Sequence, residues 1–570
     1  MKRNIQMFAF LLCLLLTATH AFAAPEAEYK QLAKTWTLHA DGSQEFRYSM
    51  ELTLFTHTAM NSTYGESFIV YNPQYQKLKI NASYTRQKDG TIIRTPDNAF
   101  VEVLPRAAAD APAYNHLKEM VVVHTGLELG ATIYLDYTIS SQAGYLPEID
   151  LFEELLQSSP VKECTLSIRT PVGKPLTYTL SGSKARAKVS EEDGVQTTTW
   201  TLRNLPAASR APFVSVSNGD VPYLAATTYA SEEAALATLY KQFGSADDLQ
   251  LATLAESITE GKTDNPAKLQ AILAFVRENI ANSPLKLEET GYRLRPAADV
   301  LSSAYGTAAE KANLLIGLLN GAGFKLMTQP MATYRVSADK GLALKAIDRL
   351  YAYCSVDGEG YYFALPDAST RRPQVSTFNH TPLYSLQTGK PVAVPLPAAE
   401  EYGIRGEYKI AFNEGNVTTE ATETAGAALI PYFAEGERKS HSAAPLKVVG
   451  GYATLQLPES AYAFSRLPYG NLNSRRKENL MLPHPVSESY TYTVECPEQM
   501  ELRTPETDKT IRNVAGSLTI SIQKKGHTAT VSRSLILSKQ LYTPAEYDAL
   551  RQLLTEWSDA NQKTLLFSVQ

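Results

Sequence analysis

Over the first third of the chain, apolar and polar residues alternate with a period of two, the pattern of strands buried on one face. Leu78, Ile80, Ala82 and Tyr84 fall on one side of such a run, and residues 120–124, 133–139, 164–170 and 197–202 behave alike. Asp-Gly pairs at Asp41-Gly42, Asp89-Gly90 and Asp193-Gly194 stand between runs, where a two-residue hairpin needs positive φ. Residues 24–230 are expected to form an antiparallel β-sandwich.

After Ser231 the apolar period lengthens to 3.6. Pro266 follows Asp264 and Asn265 as a helix start, and Leu269, Ile272, Leu273, Val276 and Ile280 share a face. A second helix is expected over 308–320, with Leu314, Leu315, Leu318 and Leu319 inward and Gly321 and Gly323 at its end. Strand-like runs follow at 325–334, 350–356 and 361–365, the last two joined by Asp357-Gly358. Helices followed by a strand meander make 231–395 an α+β domain.

The Pro/Ala-rich stretch 392–399 reads as a linker, and strands return over 396–570, a C-terminal β domain. The chain is expected to end in one helix, with Thr543 as N-cap, Pro544 first, Glu546 closing a capping box, and Tyr547, Leu550, Leu553, Leu554 and Trp557 on one face.

Residues 1–23 have the order of a secretory signal: Lys2 and Arg3, a short apolar run, then Ala21-Phe22-Ala23 at a cleavage site. The apolar run is too short for a bilayer span. Cys13 lies inside it without a lipobox, so a periplasmic or extracellular protein without a transmembrane segment is expected. A formal net charge of -5 supplies no basic field for nucleic acid. Three widely spaced cysteines remain, Cys164, Cys354 and Cys496, which make neither a disulfide framework nor a zinc site. No metal or cofactor motif is present, and the cysteines read as buried small hydrophobes.

Arg295-Pro-Ala-Ala-Asp-Val-Leu and Tyr305-Gly-Thr-Ala-Ala-Glu-Lys-Ala-Asn-Leu-Leu-Ile-Gly-Leu-Leu-Asn-Gly-Ala-Gly-Phe resemble the papain/transglutaminase-like core. Members of that superfamily carry Gly-Asp-Cys-Lys-Asp-Lys-Ala before an apolar helix. The Asp357-Gly358 hairpin, Tyr361-Tyr362-Phe363 and Pro366-Asp367-Ala368 are similar to its second and third motifs. Residues before the core resemble the domain of unknown function numbered 3857. Asn513-Val-Ala-Gly516, Arg533 and Pro544-Ala-Glu-Tyr547 resemble the β domain that closes such proteins.

What the resemblance implies is a thiolate at a helix start, a histidine and an orienting aspartate. Laid on this sequence, the nucleophile position is Ala308 and the base position Arg349, or Leu350 with a one-residue slip. Only Asp367 keeps its identity. A methyl group cannot attack and a guanidinium cannot accept a proton. From Ser231 to Asn379 there is no His, and the sole Cys is Cys354. A relocated Cys354–His380 pair is the catalytic alternative, a cysteine-type amide hydrolase or acyl-transferase with an unconventional site. The main expectation is a pseudoenzyme with a binding or structural role towards glycan, peptide or another envelope protein; Tyr351, Tyr353, Tyr361 and Tyr362 read either as half-buried residues of a sheet edge or as the lining of a groove for such a ligand. Glu310 and Lys311 read as ordinary charges on the first turn of their helix.

Overall fold

Buried and solvated side chains alternate along Ala27–Leu38 and its hairpin partner Gln44–Leu54, so Leu32, Met50 and Leu52 turn together into one core. The computed structural model describes residues 25–570 except 215–219, 245–248, 325–326, 337–339, 366–381, 395–396, 414, 468, 470–471, 473–474 and 538. The expected export signal therefore lies outside the described residues. The molecule is multidomain and mostly β, with 45% strand and 20% helix.

The two strands are central in an eight-stranded sheet ordered Lys188–Glu192, Val195–Leu205, Val161–Pro171, Ala27–Leu38, Gln44–Leu54, Thr132–Ser141, Gln76–Arg86, Ile92–Arg94. Two three-stranded sheets share its apolar core, contributing Leu151, Leu224 and Ala226 from one and Ile69 and Val122 from the other. The sheet is not wholly antiparallel, which corrects the expectation. Ala27–Leu38 runs parallel to Val161–Pro171. Parallel neighbours need a crossover longer than a hairpin, and here the chain passes through the second layer, Asp150–Glu154, before re-entering.

Among the described residues five α-helices follow: α1 Glu232–Tyr240, α2 Leu249–Thr259, α3 Asn265–Asn279, α4 Ala297–Ser303 and α5 Ala308–Leu319. Asp264 caps α3 by accepting from Ala267 N at 2.7 Å. α5 is buried from Ala309 to Leu319, as its near-continuous apolar run requires. A five-stranded sheet lies against it, ordered Glu359–Ala364, Ile347–Val356, Thr328–Tyr334, Leu383–Ser385, Pro391–Val392. Its first hairpin turns at Asp357 and Gly358, with φ of 51° and 84°.

The C-terminal part has a seven-stranded sheet, again with one parallel pair, Gly403–Asn413 beside Val486–Glu495. The last helix, α6, spans Tyr547–Ser558 and buries Tyr547, Leu550, Leu553, Leu554 and Trp557. Two features of this end depart from expectation. Glu546 folds back to accept from Thr543 N at 3.1 Å, and its own N–H donates to the Thr543 carbonyl, so Pro544 to Glu546 form a turn and the helix starts at Tyr547. The helix is also not last. Thr564–Val569 follows as a strand between Tyr452–Gln456 and Met500–Leu502, burying Leu565 and Phe567.

Candidate functional site

A short parallel ladder, Ala281–Ser283 beside Tyr305–Thr307, delivers the chain to the start of α5 with Thr307 opposite Ser283. There Thr307 and Glu310 form a capping box: the Thr307 hydroxyl accepts from Glu310 N at 3.3 Å and the Glu310 carboxylate accepts from Thr307 N at 2.9 Å. Thr307, Ala308 and Ala309 then line one wall of a cleft of about 470 Å³. Residues 347–350, which open the strand Ile347–Val356, line the same cleft, Arg349 and Leu350 among them.

Glu310 is more than a surface charge. Its side chain is fully buried and paired with Arg295, which donates to it from Nε and Nη2 at 3.1 Å each. Arg295 also donates to the Ser303 hydroxyl at 3.0 Å and the Tyr305 carbonyl at 2.7 Å, with its guanidinium 4.5 Å from the centre of the Tyr305 ring. From the N-terminal part, Tyr114 donates its hydroxyl to the same carboxylate, and Ala113 N donates to the Tyr305 hydroxyl at 2.6 Å. Lys311 is buried too. Its ammonium donates to the Ile280 carbonyl at 2.7 Å, and burial pulls its pKa down.

Four cations reach the cleft, Lys286, Arg335, Lys345 and Arg349, against two carboxylates, Glu288 and Asp348. Lys345 and Glu288 neutralise each other at 2.5 Å and Arg335 lies 3.8 Å from Glu154, whereas among the described residues Arg349 has its exposed sequence neighbour Asp348 alone, at 3.8 Å. The backbone of Lys345 is fixed from the N-terminal part: its N–H donates to Asp150 Oδ2 at 2.9 Å. Asp150 Oδ1 is buried with no hydrogen-bond partner among the described residues, and loss of solvent raises that carboxyl to about 7.

Ala308, Arg349 and Leu350 all line this cleft. Asp367 and His380 lie outside the described residues. Cys354 does not reach the cleft. It is fully buried in the central core, and burial pushes its thiol up to about 12. The four tyrosines do not make one groove. Tyr351, Tyr353 and Tyr362 share a sheet face, with Tyr351 buried and the rings of the other two 5.0 Å apart. Strand alternation turns the buried Tyr361 to the opposite face, against Tyr432 and Phe433. None of the four lines the cleft. Ser283, Asp150 and the Arg295–Glu310–Tyr114 cluster were not foreseen. Of these only the Thr307-x-x-Glu310 capping signature was readable from order alone. Among the described residues no group of three His, Cys, Asp or Glu is placed to hold a metal, and no helix is long and apolar enough to cross a membrane.

Residues 40–209 match the family model DUF3857, a domain of unknown function with a solved structure, and residues 454–567 match DUF3858, described likewise. Among solved structures, a "putative protease" from Parabacteroides distasonis ATCC 8503 is 42% identical, with a TM-score of 0.81 over 95% of this chain and 99% of that chain. An M1 zinc metallopeptidase from Deinococcus radiodurans is 12% identical over 35% of this chain and 42% of that one, with a TM-score of 0.19. Legionella pneumophila aminopeptidase A is 7% identical over 36% and 22%, with a TM-score of 0.20. Those two likenesses are too slight to carry an argument. No curated protein matches the chain.

Proposed function

We propose the following reading for this chain, which belongs to the same family as the Parabacteroides distasonis protein: it is an exported envelope protein whose central region, transglutaminase-like in fold, binds a ligand in the cleft without turning it over. The observation that supports this is a pair of residues lining one cleft: Ala308, which opens α5 where a nucleophile would gain from the helix N-terminus, and Arg349, which stands on the strand Ile347–Val356 at the position the motif resemblance gives to the base. Among the described residues no Cys and no His lines the cleft. Export rests on the order of residues 1–23, and the fold name rests on the motif resemblance around Gly306 and Asp357.

A second reading is favoured by one finding, the description given to the Parabacteroides distasonis relative: a peptidase or other amide hydrolase with an unconventional site. Incubating the purified chain with peptide and amide substrates, and following both mass and thermal stability, separates the two. Binding raises the melting temperature with substrates left intact. Sustained cleavage by the wild-type chain would overturn the non-catalytic reading.

A further inference from the structure

We infer that the cleft recognises the carboxylate of a peptide, with Arg349 as the principal contact and the acid group lodged beside the first turn of α5. The inference rests on the binding reading above and names the ligand class. Four observations carry it.

The cleft has two more cations than carboxylates in a chain whose formal net charge is -5, so its local sign opposes that of the whole molecule. Of these cations Lys345 is neutralised by Glu288 and Arg335 is paired with Glu154 at 3.8 Å, while the Arg349 guanidinium is half exposed and, among the described residues, held by Asp348 alone at 3.8 Å, leaving its fork to a carboxylate. Glu310, the anion nearest the helix start, is already neutralised by Arg295, so it does not cancel the positive end of α5.

Ser283 supplies the independent pointer. It lines the cleft opposite Thr307 and is 4% exposed, yet its hydroxyl has no hydrogen-bond partner among the described residues. A buried hydroxyl without a partner costs ~1–3 kcal/mol, and an acceptor oxygen brought by a ligand removes that cost.

Carboxylate is favoured over phosphate because the capping box consumes the amides of Thr307 and Glu310, leaving the turn poor in donors for a dianion. Peptide is favoured over glycan by the remaining walls. Leu285, Leu287, Leu344, Ile347, Leu350 and Leu365 are aliphatic, and among the described residues no aromatic ring lines the cleft to stack on a sugar.

The test is affinity selection on the mature chain from a random pool of N-acetylated tetrapeptides made twice, with carboxylate or carboxamide ends, followed by titration of the retained peptides. Carboxylate-ended peptides should bind at least tenfold tighter than their amide twins. Arg349→Gln should erase that preference at unchanged melting temperature, and Ala308→Trp, which fills the cleft mouth, should abolish binding. Amide-ended peptides retained only when they contain Asp or Glu would support a carboxylate supplied by a side chain. Equal affinity of acid and amide twins, lost in Ala308→Trp, would overturn the carboxylate inference while leaving the cleft a binding site. Retention of neither pool, or binding by uronic-acid oligosaccharides alone, would overturn the inference as well. Cleavage of retained peptides would instead defeat the non-catalytic reading on which it rests.

Discussion

Replacing Glu310 with Gln tests whether the buried pair beneath the cleft, and not the helix cap, holds α5 in place. Gln is itself accepted in a capping box, so the local helix start should survive. What changes is the charge. Arg295, whose side chain is 15% exposed, loses its partner while remaining walled in by Tyr114 and Tyr305. Removing one member of a buried ion pair costs ~3–5 kcal/mol. Arg295 keeps its bonds to Ser303 and to the Tyr305 carbonyl, so the lower end, ~3 kcal/mol, applies here. For a cooperative unit of ~150–250 residues that corresponds to a melting shift of roughly 6–12 °C. Differential scanning calorimetry should show the shift in the transition of the part containing α5. The double variant Arg295→Met with Glu310→Gln should recover part of the loss, because it removes the stranded guanidinium while the introduced Gln keeps an acceptor for Thr307 N and the Tyr114 hydroxyl. A shift below ~1 °C for Glu310→Gln, well under that range, or a double variant no more stable than the single one, would refute this account.

Three further outcomes follow from the structure. Asp150 is raised above its unfolded value, so its contribution is fully present below about pH 4 and is lost as pH climbs through about 7; Asp150→Asn should flatten that part of the stability profile and raise stability at pH 8, whereas parallel urea-melting profiles for the two proteins would count against it. Glu488, buried and also raised to about 7, contributes equally in both. Cys354 should resist iodoacetamide in the native protein at pH 7.5 and react once the chain is unfolded, since burial both shields and protonates it; native labelling at the rate of a free thiol would show the site to be open. Ala308→Cys should alkylate faster than an ordinary exposed thiol of pKa ~8.5, being placed at the α5 N-terminus across from Arg349, and should still give no amide turnover; an unaccelerated, accessible thiol would mean that Arg349 and the helix end do not act on that position.

The parts of this fold that were legible in the sequence are those set by a few neighbouring residues. The Asp357-Gly358 turn needs two successive positive φ values, and Asp264 with Pro266 starts a helix whatever lies around it. The α5 helix was found from its long apolar run and the glycines at its end, although its Thr307–Glu310 capping box was passed over. The parallel pairing of Ala27–Leu38 with Val161–Pro171 was not legible, because alternation reports which face is buried and says nothing about strand direction. The closing strand Thr564–Val569 was missed after a strongly amphipathic helix, because six residues carry little periodic signal.

The same division runs through the site. Ala308 and Arg349 could be located by counting along motifs, yet what makes their cleft anion-seeking is a balance among groups that are distant in sequence. Glu310 looks like an ordinary first-turn carboxylate until Arg295 and Tyr114 are seen to bury and neutralise it. Arg349 looks like the residue that replaced a base until Lys345 is seen to be spent on Glu288 and the cleft's positive excess falls to the remaining cations. Charge composition offers no hint of this, since the chain as a whole is acidic. On the proposed reading Arg349 puts a permanent cation, in place of a titrating base, in the same cleft as the α5 N-terminus, an arrangement that favours holding a carboxylate over breaking an amide.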